Sequence, residues 1–181
     1  MNLRTRIILI AAVVVVGGGV LGVGALMLKA DQDAAVAQYG EAVVKICKSG
    51  MDTNLTGAVP ADAKIVFIDG NTSTISGVYQ PKLSAGKAAT GKADVTHVGC
   101  VNTIEETYNV VEYGTTGKYK CRQFSRNLEV AFYEVKTGKQ ISYNLIKGSI
   151  PPTCPGKTDK SLTKYGNPPE AAEVFQVVGL N

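Results

Sequence analysis

The sequence predicts an α+β fold: an N-terminal single transmembrane helix, then a helix packed on an antiparallel β-sheet stapled by disulfides. Three observations carry that prediction. Residues 7–28 contain no ionisable or strongly polar side chain. Val36, Tyr39, Val43 and Ile46 recur at three- and four-residue spacing, which gathers them on one helical face. From residue 64 onward the apolar period shifts towards two and β-branched and aromatic residues multiply, the pattern of half-buried strands.

A helix over residues 7–28 spans about 33 Å at 1.5 Å per residue, enough to cross a hydrocarbon core of about 30 Å. Arg4 and Arg6 precede the run, whereas Lys29 is followed by Asp31 and Asp33. That basic bias predicts residues 1–6 as a short cytoplasmic N-terminus and residues 29–181 as an extracytoplasmic globular domain on the cell membrane. The competing reading is a cleaved signal peptide, since Ala35-Val36-Ala37 has the small-x-small form. Against it, the apolar run exceeds the roughly 7–15 residues of an h-region, and charged residues separate it from Ala37. Gly18 and Gly22 form G-x-x-x-G, a helix-packing face for a homo-oligomer or a second membrane helix. The neighbouring glycines also fit the ordinary glycine content of membrane helices.

Cys47, Cys100, Cys121 and Cys154 are an even set within the exported region and read as two disulfides, suited to an oxidising compartment. Of the three possible pairings, Cys47 with Cys154 and Cys100 with Cys121 ties the ends of the domain and staples its middle. No Cys-x-x-Cys occurs, and the lone imidazole, His97, cannot complete a Cys/His zinc cluster, so neither metal nor cofactor is expected.

Element by element, Asp31 and Asp33 suit the first turn of a helix over 31–48, and Lys45 and Lys48 suit its last. It either continues the membrane span or follows a short break at 30–32. Residues 49–62 read as a loop. The region 64–146 reads as mainly β, with strands at 64–68, 77–80, 93–101, 107–113, 118–124, 128–135 and 140–146 joined by turns that favour antiparallel hairpins. Residues 83–92 read as an exposed loop. Five prolines, from Pro151 to Pro169, mark residues 147–181 as a tail, with room for a short helix over 170–178.

Glu134-Val135-Lys136-Thr137-Gly138-Lys139, then a strand, then Gly148-Ser149-Ile150-Pro151-Pro152-Thr153-Cys154-Pro155, resembles the end of a group of bacterial membrane-anchored extracytoplasmic domains of unassigned function. The similarity covers roughly residues 100–155. It implies a bacterial source and an exported fold, and it carries over no catalytic residue. The chain differs in having no cysteine within residues 108–113; Cys121 lies in the following strand instead.

Several motifs suggest enzymology. Ser84-Ala85-Gly86-Lys87 and Ser161-Leu162-Thr163-Lys164 satisfy S-x-x-K, and Lys136-Thr137-Gly138 spells K-T-G, the set of penicillin-recognising serine enzymes. Those enzymes open a buried helix with the nucleophile, whereas Ser84 sits in a Gly-rich loop and Ser161 in the Pro-rich tail. K-T-G-K fits a hairpin turn. His97 is the one candidate general base, with no G-x-S-x-G elbow to serve. The adjacent Glu105 and Glu106 face opposite sides of a strand and make no glycosidase pair.

The net charge of +4 falls to about +2 outside the membrane once Arg4 and Arg6 are assigned to the cytoplasm. The remaining charges are interspersed, without the basic footprint a nucleic-acid binder needs. The sequence therefore favours a non-enzymatic, single-pass membrane protein whose exported domain binds another protein, as an accessory subunit of a membrane or envelope complex. Its expected contacts are the lipid bilayer and a protein partner or second copy. The alternatives are a small envelope hydrolase or transferase using His97, and a secreted ligand-binding domain if the N-terminus is cleaved.

Overall fold

A computed structural model describes residues 21–114 and 117–180. The expected membrane run straddles that boundary. Residues 1–20, with Gly18, lie outside the described part, and among the described residues no helix is long and apolar enough to cross a membrane.

Helix α1 (Leu21–Tyr39) runs without a break through residues 30–32 and is followed by α2 (Glu41–Ile46). The expected helix over 31–48 is thus divided. Gly40 stands between the two at φ 94, a left-handed conformation that suits a residue without Cβ. Ala35, Tyr39, Val43 and Val44 are buried, whereas Leu26 and Met27 are each 64% exposed.

The strands are β1 (Ile65–Asp69), β2 (Thr74–Ile75), β3 (His97–Tyr113), β4 (Tyr119–Glu134), β5 (Gln140–Ile146) and β6 (Leu162–Tyr165), with α3 (Ala171–Val177) last. Several boundaries differ from the sequence reading. The strands expected at 93–101 and 107–113 are one element, as are those at 118–124 and 128–135, because the polar stretches between them still pair across the hairpin. The strand expected at 77–80 is replaced by turns and a 3₁₀ segment, Gln80–Lys82, where Pro81 cannot donate to a ladder. β6 lies in the tail between the prolines.

The sheet runs β2-β1-β3-β4-β5, with β6 alongside β4. It is mixed, not antiparallel as expected. β1 pairs with β3 in parallel, and so does β6 with β4. The short turns correctly imply the β3–β4 and β4–β5 hairpins. The parallel pairs come from residues 76–96 and 147–161, which are long enough to return the chain to the same end of the sheet.

Strand alternation sends Val66, Ile68, Val98, Cys100, Ala131 and Tyr133 to the face covered by α1 and α2. Phe67, Val101, Leu128, Val130 and Phe132 point the other way, against α3 and the Tyr79–Leu83 segment. On that second face Phe67 meets Tyr79, Phe132 and Phe175 with ring centroids 5.9, 5.7 and 5.8 Å away. The sheet is therefore buried on both sides, with helices on each.

The disulfides join Cys47 to Cys100 and Cys121 to Cys154, with Cα atoms 5.3 and 6.1 Å apart. This corrects the pairing read from sequence. Cys100 lies opposite Ala131 on the hairpin, and Cys121 lies opposite Val111. Ten residues of strand separate those rungs, about 34 Å, far beyond the reach of a disulfide.

Candidate functional site

The β3–β4 hairpin outruns the body. β1 accompanies β3 only to Val101, and β5 accompanies β4 only from Leu128. The ribbon beyond continues to Tyr113 and Tyr119, so the eleven residues 103–113 form an arm about 35 Å long. A two-stranded ribbon is marginal alone, and three devices stiffen this one. β6 adds a third strand along residues 121–124 of β4. The Cys121–Cys154 disulfide pins the tail to one face, where the Pro152 carbonyl accepts from Gln123 Nε2 at 2.9 Å and the Pro155 carbonyl accepts from the Tyr113 hydroxyl. On the other face Phe124 stacks on Tyr165 at 5.6 Å, and the Arg126 guanidinium lies 4.2 Å from the Tyr165 ring.

Charge divides the arm by strand. No Lys or Arg occurs between residues 93 and 117, where β3 carries Glu105, Glu106 and Glu112, whereas β4 carries Lys120, Arg122 and Arg126. Lys120 pairs with Glu112 at 2.6 Å, Arg126 with Glu105 at 3.3 Å, and Lys147 with Glu106 at 3.2 Å. The hydrogen bond from Lys120 holds the Glu112 carboxyl below its usual range. As expected, Glu105 and Glu106 turn to opposite faces and meet different cations. A register shift at Tyr108 interrupts the ladder between Thr107 and Asn109. Tyr108 and Val110 are 54% and 43% exposed.

His97 lies at the opposite end of the hairpin, opposite Glu134 in the register. A cleft of about 660 Å³ there is lined by Thr56, His97, Glu134, Lys139 and Gln140, among others. His97 is buried and its Nδ1 shares a hydrogen bond with Thr96 Oγ1 at 2.9 Å. Burial pushes its pKa below the ordinary value, although Glu134 and Asp62 pull the other way. The Lys136-Thr137-Gly138 motif forms the adjoining turn. Gly138 adopts φ 65 and Thr137 donates its hydroxyl to Glu134 Oε2 at 2.7 Å. A buried imidazole and an already bonded carboxylate therefore share one cleft. Thr56 lines it, and Ser84 and Ser161 are elsewhere.

A second cavity, about 540 Å³, lies beside α2 and is lined by Gln32, Cys47, Met51, Asn102 and Glu129, among others. Asn102 Oδ1 is buried there without a hydrogen-bond partner, close against Gly70. Among the described residues no group of three or more His, Cys, Asp or Glu is placed to hold a metal ion. Of the glycine pair, Gly22 falls in the first described turn of α1, and Gly18 lies outside the described residues. The sequence reading missed the arm because it treated the polar residues 102–106 as a break between strands. The signal lay in two β-prone runs, with no Pro inside either, flanking the turn-type sequence Gly114-Thr115-Thr116-Gly117. No family model, curated protein or solved structure matches this chain.

Proposed function

We propose that this chain is a single-pass membrane-anchored protein whose extracytoplasmic domain binds another protein, as an accessory subunit of a membrane or envelope complex. The observation that carries the reading is the arm. A ribbon projecting from a body already buried on both faces, braced by a strand, a disulfide and a tail, adds little to the core and offers much surface. Two disulfides suit an oxidising compartment. The exposed Leu26, Met27 and Leu28 at the start of α1 support continuity with the apolar run before them, because apolar side chains that no protein covers suit a lipid surface.

The test is mild detergent extraction of the full-length chain from its native membrane, then affinity purification and intact mass spectrometry with and without reductant. A stoichiometric partner, with Met1 retained and two disulfides, supports the proposal. A lone species beginning after Ala37 defeats it and favours a secreted ligand-binding domain. The cleft that joins His97, Glu134 and Lys139 favours a second reading, a small hydrolase or transferase using His97. That reading requires an assayable activity lost in His97→Ala with the fold intact.

A further inference from the structure

The arm leaves one long strand edge open. β3 pairs with β1 only as far as Val101, and among the described residues the outer edge of β3 from Asn102 to Tyr113 has no main-chain partner. Which residues face outward follows from their neighbours. Val101 directs its carbonyl to the β1 side, where it accepts from the Gly70 N–H at 3.0 Å. Alternation then turns the main chain of Thr103, Glu105 and Thr107 the same way. The partner of Thr107 agrees, since Phe124 sends its carbonyl away from β3 to the Gly166 N–H at 2.9 Å. Beyond the shift at Tyr108, Lys120 directs its N–H to Ser161 Oγ at 3.3 Å on the β6 side. Its partner Glu112, and with it Val110, therefore also turns outward.

We propose that this edge, residues 103–112 of β3, binds an extended segment of a partner protein by strand addition, and that the segment carries Lys or Arg at alternate positions. The proposal rests on the protein-binding reading above and names its surface. Main-chain groups of Thr103, Glu105, Thr107, Val110 and Glu112 supply the ladder. Glu105 and Glu112 lie on the face that those residues share and remain 45% and 55% exposed in their ion pairs, and Glu106 on the other face is 47% exposed. Each carboxylate thus keeps capacity for a second cation. β4 shows the composition that suits β3, with Lys120, Arg122 and Arg126 alternating along it. A second copy of β3 fits poorly, because antiparallel self-pairing sets its own glutamates near one another, and like charges across a ladder repel. Exposed Tyr108 and Val110 add apolar contact.

The test uses the full chain in detergent micelles and a fluorescein-labelled eight-residue peptide alternating Lys and Thr, read by anisotropy. Saturable binding is expected, with none for the corresponding Glu/Thr peptide or for a Lys/Thr peptide methylated on alternate main-chain nitrogens. Val110→Pro removes an outward N–H that β4 does not use and weakens binding about tenfold. Glu105→Lys with Glu112→Lys does the same through charge, should the proline disturb the arm. Failure of the wild-type chain to bind, or equal binding of the methylated peptide, overturns the proposal. So does a concentration-dependent dimer that Val110→Pro abolishes, which assigns the edge to a second copy. If a native partner still co-purifies with both variants, the edge is wrong and the protein-binding reading stands. If no partner accompanies the wild-type chain, that reading itself fails.

Discussion

Burial decides the ionisation of His97, and that has a consequence for stability. Its folded pKa lies below the ordinary 6.5 because the imidazole is desolvated, against the pull of Glu134 and Asp62. The unfolded chain therefore takes up a proton that the folded chain resists, so the stability that depends on this group is full above about pH 6.5 and falls as pH drops below it. His97→Gln should flatten that part of a urea-unfolding profile between pH 7 and 5; an unchanged slope would show that other groups cause it. Tyr143 acts at the alkaline end. Burial and its hydrogen bond to Glu129 push it up to about 12, so its contribution is present below pH 10 and lost as pH rises through about 12. Gly99 tests the packing of the same strand. A Cβ there would lie 2.6 Å from Phe67 ring atoms and 3.1 Å from Phe132. Gly99→Ala should cost about 1–3 kcal/mol of overpacking, seen as a lower denaturant midpoint, and an unchanged midpoint would mean that the aromatic cluster yields without cost.

The two disulfides hold different parts of the fold. Cys47–Cys100 ties α2's end to a strand covered by the helical layer, whereas Cys121–Cys154 ties the tail to the arm. Cys121→Ala with Cys154→Ala should leave the body's exchange protection intact and speed amide exchange along residues 119–125. Loss of protection throughout the body instead would show that the arm and the core unfold as one unit. The sequence made part of this legible. Periodicity marked the apolar face of α1 and α2, and turn chemistry marked both hairpins, because these signals are local. The parallel β1–β3 pair and β6 depend on where long connections return, which local spacing does not encode. Cysteine partners stayed hidden for the same reason, since their distance is set by hairpin register. His97 was recognisable as a lone imidazole, yet its neighbour Glu134 is 37 positions away and met it only through the ladder.

The junction at residues 28–35 sets how the body sits on the helix that precedes it. α1 passes unbroken from Leu21 to Tyr39, and its side chains change from exposed at Leu26 and Met27 to fully buried at Ala35. From Leu28 to Ala35 a helix rises about 10 Å, and Gln32 Nε2 already donates to the Thr72 carbonyl within that interval. If residues 7–28 cross the bilayer, one rigid helix holds the body about two turns away and fixes the direction in which the arm points. A flexible insertion tests this without touching the core. Four Gly/Ser residues between Ala30 and Asp31 lie before the first docked side chain, so the thermal midpoint of the body should stay the same. Partner recovery from detergent extracts should fall, because a free swivel no longer presents the arm at a set height and angle. Unchanged recovery would mean that the partner is captured by the arm alone, wherever the membrane lies.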